Sequence, residues 1–75
     1  MERVGTVSRT AQGLAVVRCD DADHPDIGTD VVDESLTDVG RVVDVFGPVA
    51  QPYVAVSPND RSRLADLVGA KLYAR

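Results

Sequence analysis

Apolar residues in this chain recur in short runs of strand length, and a helical spacing surfaces only once, near the C-terminal end. Glu2 to Thr10 and Gly13 to Arg18 are rich in valine and threonine and predict a β-hairpin that turns at Ala11-Gln12, with Gly13 easing the turn. Successive side chains of a strand take opposite faces, so Leu14 and Val16 share one face and Ala15 and Val17 the other. Apolar groups on both faces suit a small closed barrel with one covered outer patch. Further on, Val31-Val32 predicts a short strand, and Leu36 is expected to plug the core with Ser35 and Thr37 beside it.

The stretch from Gly40 to Ser57, GRVVDVFGPVAQPYVAVS, is the least generic. It predicts a valine-rich strand, a loop bracketed by Pro48 and Pro52, and a second valine-rich strand. Asp44 is costly to bury unpaired, which turns its face outward and sends Val43 and Val45 to the core, with Val42 and Phe46 outside. On the second strand Val54 and Val56 point inward, and Tyr53, Ala55 and Ser57 outward. The prolines fix their own φ and push the residues before them toward extended backbone, while Gly47 is open to angles closed to other residues. A loop this stiff loses little entropy on docking, and a partly apolar outer face on so small a chain suggests a partner. The plain alternative is a rigid hairpin turn that binds nothing, since Gly and Pro punctuate ordinary loops too.

After Ser57, Pro58 breaks the sheet, and Asn59 or Asp60 is placed to cap a helical turn through Leu64, Ala65, Leu67 and Val68. Gly69 ends it, and Lys71 to Ala74 returns as a final strand that closes on the first. The fold class is therefore all-β: one domain over residues 1–75, a small six-stranded Greek-key-like barrel of the translation-factor/reductase type.

With 75 residues the core must be thin, because a domain of this size buries only about 60% of the surface its unfolded chain exposes. One cysteine allows no internal disulfide, and no stretch resembles a secretion signal or membrane span, so the chain reads as soluble and cytoplasmic. Docking on a larger protein is a natural source of extra stability. The formal charge is -4, Lys71 is the single lysine, and Cys19 to Gly40 contains no Lys or Arg. This acidic, lysine-poor style resembles the proteins of salt-loving archaea, where high salt screens self-repulsion. The same charge argues against a large sequence-independent hold on RNA, which rests on clustered Lys and Arg.

Catalytic constellations are missing from the sequence. The single His, single Cys and scattered Ser supply no nucleophile, base and orienter at a recognisable spacing, and the glycines form neither a phosphate loop nor a dinucleotide fingerprint. Asp21, Asp23 and Asp26 lack the Gly and the terminal Glu of a calcium loop, and Cys19 with His24 falls short of the four ligands of a structural zinc site. No cofactor or metal is expected. Phe46, Tyr53 and Tyr73 are too few and too weakly interleaved with basic residues to predict a platform for single-stranded nucleic acid. The modest basic bias of Arg61, Arg63, Lys71 and Arg75 reads as an ordinary charged rim.

The run GRVVDVFGPVAQPYVAV resembles the most characteristic segment of the small β-barrel subunit of box H/ACA ribonucleoproteins, the glycine-arginine-rich (GAR) protein family, in its tail-less archaeal form. Arg3 to Arg18 is similar to that family's opening hairpin, Val31 to Leu36 to its VVDxxL segment and Val68 to Tyr73 to its closing VGxxLY. The resemblance implies a non-catalytic subunit of an RNA-guided pseudouridine synthase. It would dock on the dyskerin-like catalytic subunit, touch guide and substrate RNA only indirectly, and aid substrate loading and release in rRNA processing. Carried onto matching positions, it implies a protein-binding surface of Val42, Phe46, Gly47, Pro48, Val49, Pro52 and Tyr53. The acidic region 20–38 and the NDRSRLAD segment depart from the family pattern. Two other readings stay open: a direct RNA-binding barrel of the translation-factor type, and a PRC-like regulatory barrel, since GRVVDV is common to such barrels.

Overall fold

The computed structural model describes residues 2–75. Six strands, β1 (Glu2–Ala11), β2 (Leu14–Cys19), β3 (Asp30–Val32), β4 (Asp38–Phe46), β5 (Tyr53–Pro58) and β6 (Lys71–Ala74), form a closed barrel in the order β1-β2-β5-β4-β3-β6, every pair antiparallel. The six-stranded all-β barrel expected from the alternation is thus present, with β6 closing on β1. Closure leaves no long unpaired edge. Register shifts mark bulges in β1 and β4, which bend a strand and sharpen its twist so that a short barrel can close. Where the strands press closest a side chain has no room. A Cβ on Gly5 would lie 2.0 Å from the Arg18 carbonyl oxygen, and one on Gly40 2.0 Å from that of Ser57.

Six strands enclose little space, and the core is built of small branched side chains. Val4, Val7, Ala15, Val17, Cys19, Val31, Val39, Val42, Val54, Val56 and Leu72 form one buried cluster. Leu64 and Leu67 pack against it from a 3-10 helix, Arg61–Leu67. Asp60 caps this helix: its Oδ1 accepts from the Ser62 backbone N–H at 3.0 Å and from the Ser62 hydroxyl at 2.6 Å. Those bonds hold the Asp60 carboxyl below its ordinary pKa. Val16 and Ala55 are also buried but stand on the outer face, opposite each other across β2 and β5, the covered outer patch that apolar residues on both faces of β2 predict.

Two local expectations are corrected. The first hairpin turns at Gln12-Gly13, one residue later than Ala11-Gln12, and both residues have positive φ, 53° and 78°, the signature of a type I′ turn whose twist matches the strands it joins. Leu36 is no core plug: it is 57% exposed with φ 64°. The cause is Asp33, whose Oδ1 accepts from the backbone N–H of Ser35 and Thr37 while its carbonyl accepts from the Leu36 N–H. The chain winds around that carboxylate and throws the leucine outward.

Candidate docking surface

The β4–β5 pairing and the loop that joins its strands build one end of the barrel. Val42 pairs with Val56 and Asp44 with Ala55, so Val43 is the extra residue of a bulge. The expectation that Val43 fills the core and Val42 lies outside is therefore inverted: Val42 is 1% exposed and Val43 is 42% exposed. One unpaired residue resets the alternation. Val42 has no surface to offer a partner. Beyond the bulge the alternation holds, with Val45 packed against the core and Asp44 and Phe46 outside. Val54 and Val56 are buried as expected.

Phe46 pairs directly with Tyr53, and their rings stack with centroids 5.7 Å apart and planes 20° from parallel. Gly47 follows with φ 91°, a backbone conformation open to glycine, and a Cβ there would stand 2.9 Å from Cδ2 of Tyr53. Glycine at this position lets the chain turn while pressed against the ring. The loop is then tied down at three points. Gln51 N–H donates to the Pro48 carbonyl at 3.2 Å, Cys19 N–H donates to the Pro52 carbonyl at 3.1 Å, and Arg18 Nη2 donates to Gln51 Oε1 at 3.2 Å. Pro52 is buried, whereas Val49 at the tip is 89% exposed.

Six of the seven residues picked from the sequence thus meet at one end: Phe46, Gly47, Pro48, Val49, Pro52 and Tyr53. Ala22, His24, Val45, Phe46, Gly47, Pro48, Val49 and Pro52 line a shallow hollow there. Ala22 and His24 escaped the sequence reading because they arrive from the acidic segment, brought back over the barrel end by a long connection that no local spacing announces. His24 places Nδ1 3.1 Å from the Pro25 carbonyl. The lining is mostly apolar and contains no carboxylate, Lys or Arg, and its chemistry is that of an apolar receptacle: it can shelter an aliphatic or aromatic side chain.

The description Gar1/Naf1 RNA binding region matches residues 1–75. No curated protein matches the chain. Among solved structures, one titled "Structure of the Gar1 domain of NAf1" shares the fold with a TM-score of 0.72 at 15% identity, over 99% of this chain and 81% of that one. A single family spans all the described strands, and a structure titled for that family's domain has the same barrel. The chain belongs to the Gar1/Naf1 RNA binding region family and is a small β-barrel subunit of the Gar1 type, with an accessory role in H/ACA ribonucleoproteins.

Proposed function

We propose that this chain is the non-catalytic barrel subunit of an archaeal, cytoplasmic RNA-guided pseudouridine synthase. It docks on the dyskerin-like catalytic subunit through the barrel end built by Phe46, Gly47, Pro48, Val49, Pro52 and Tyr53, and so aids loading and release of substrate RNA in rRNA processing. The observation that carries this reading is the exposed apolar end itself. Phe46 at 38% and Val49 at 89% exposure stand beside a mostly apolar hollow, on a loop pinned by three hydrogen bonds. A pinned loop gives up little conformational freedom when a partner covers it, and a compact apolar centre is where interface energy concentrates.

Direct RNA binding by the barrel is the second reading, favoured by the words of the family description. The formal charge of -4 weighs against it, because phosphate binding grows with the number of cations brought to bear. Salt-matched capture from a native extract separates the two. Docking predicts recovery of the pseudouridine synthase subunit even after ribonuclease treatment, and the isolated chain should neither hold guide RNA tightly nor isomerise uridine. Recovery of RNA without that subunit, or a tight gel shift of guide RNA by the chain alone, would sink the docking reading.

A further inference from the structure

The strand register sets five outward side chains in one row around the barrel. Phe46 lies opposite Tyr53, Tyr53 opposite Arg18, Arg18 opposite Thr6 and Thr6 opposite Lys71. Directly opposed residues share a face, and at about 4.8 Å per strand the row runs roughly 19 Å across β4, β5, β2, β1 and β6. Apolar aromatics occupy one half and cations the other.

Among the described residues, three cations outside this row are committed to carboxylates, while Arg9, Arg61 and Arg63 make no ion pair. Arg3 pairs with Asp20, Arg41 with Asp30 and Arg75 with Asp38. Among the described residues, Arg18 and Lys71 pair with no carboxylate: Arg18 donates to the neutral Gln51, and Lys71 is exposed. Two cations without carboxylate partners thus share an outer row with the exposed Phe46 and the half-buried Tyr53. A hollow lined by Thr6, Ser8, Arg18, Cys19, Asp20 and Gln51 adjoins Arg18, and its one carboxylate, Asp20, is paired with Arg3.

We propose that this row extends the docking surface and receives an acidic segment of the catalytic subunit, an inference that rests on the docking reading above. An apolar side chain of the segment packs at Phe46 and Tyr53, and its carboxylates reach Arg18 and Lys71. A protein segment fits better than RNA. Tyr53 is already stacked on Phe46 and crowded by Gly47, which leaves a poor platform for a base, and two cations offer few phosphate contacts. Carboxylates at set distances from an apolar anchor would fix the register of docking as well as its strength.

The test is the affinity for the cognate catalytic subunit at two salt concentrations, for Lys71→Glu, Arg18→Glu with Lys71→Glu, Phe46→Ala, and Arg61→Glu as a control. Arg61 lies by the Gln12-Gly13 turn, away from the row, and its reversal changes net charge as much as Lys71→Glu does. Lys71→Glu leaves every hydrogen bond of the proline loop in place, so its fold should be intact by melting. The double reversal should weaken binding about tenfold or more at the lower salt and less at the higher, with Arg61→Glu near wild type. If the reversals are silent while Phe46→Ala impairs binding, the acidic segment is wrong and the docking end stands. If Phe46→Ala is silent too, the docking reading falls with it. A loss in Arg61→Glu equal to that in Lys71→Glu would reduce the effect to net charge and overturn the row. An RNA oligonucleotide held by the wild-type chain and released by Lys71→Glu, with affinity for the catalytic subunit unchanged, would reassign the strip to phosphate.

Discussion

Phe46 and Tyr53 face each other across the β4–β5 register with their rings stacked 5.7 Å apart, and this one pair joins the sheet to the surface that a partner would cover. Tyr53 is half-buried, and Phe46 keeps 38% of its surface open. The stack therefore serves the fold only in part.

Replacing Phe46 by Ala should separate those two roles. A core Phe costs about 3 to 5 kcal/mol on truncation, but this ring is outside the core cluster, and its loss should remove a stacking contact worth about 0.5 to 1.5 kcal/mol plus modest burial. We expect a melting point lower by about 5 to 10 °C for a domain of this size. Affinity for the catalytic subunit should fall by about 2 kcal/mol or more if the ring is a buried anchor, while Asp23→Ala is nearly silent. Melting and binding measured on the same variant decide it. Loss of fold without any selective loss of binding would place Phe46 among structural residues only.

The barrel was legible because alternation is a direct imprint of the pleat. Ala15 and Val17, like Val54 and Val56, point to the core on the strength of a period of two, and Lys71 to Ala74 returns to close on β1. A bulge has no such imprint. Nothing in RVVDVF says which residue is the extra one, and the cost of burying Asp44 was met by turning the strand at Val43 rather than by inverting its whole face. Leu36 failed for a related reason: the Asp33 carboxylate organises its loop through two backbone donors, and an apolar residue within a polar turn goes where the turn sends it. Of the docking end, the segment supplied by one continuous run was readable, whereas Ala22 and His24 depend on the path of a connection.

Stability should rise with monovalent salt. Asp20, Asp30 and Asp38 are paired with arginines, yet those pairs are exposed and each is worth at most about 1 kcal/mol, while Asp21, Asp23, Asp26, Asp33 and Glu34 form no ion pair among the described residues. Screening weakens three modest attractions and a larger self-repulsion together, and with a net charge of -4 the repulsion prevails. A melting temperature that stays flat or falls across a salt series would show that the acidic segment is already neutralised.

Alkaline pH should act through Cys19. Its thiol lies in the core cluster, and burial, reinforced by Asp20 and Asp21, raises its pKa above the ordinary 9.0. The folded chain then holds the thiol proton more tightly than the unfolded chain. That contribution is complete below pH 9.0 and is lost as pH rises through the folded value. Melting curves should therefore decline above this pH, and Cys19→Ala, whatever its starting stability, should decline less steeply. Cys19 should also resist alkylation in the folded chain and react on unfolding. Identical alkaline slopes for the two proteins would show that the Cys19 thiol does not drive the decline.

The bulge in β4 makes the sharpest prediction, because neighbouring valines of the same size should behave in opposite ways. Val42 is 1% exposed within the core cluster, and its truncation to Ala removes two buried carbons and leaves a void that a closed barrel has little freedom to collapse. We expect Val42→Ala to cost about 2 kcal/mol of stability, a large share of what a domain this small possesses. Val43→Ala should cost under about 0.5 kcal/mol, since the side chain is 42% exposed on the unpaired residue of the bulge. Denaturant titration of both variants measures the difference. The binding consequences run the other way: Val42→Ala should alter affinity only as far as it loosens the fold, whereas Val43 stands outside, where a partner that spreads along β4 from Phe46 could reach it. Equal destabilisation by the two substitutions would mean that the bulge does not persist in solution and that β4 slips between two registers, and the outward placement of Phe46 would then have to be settled again by its own variant.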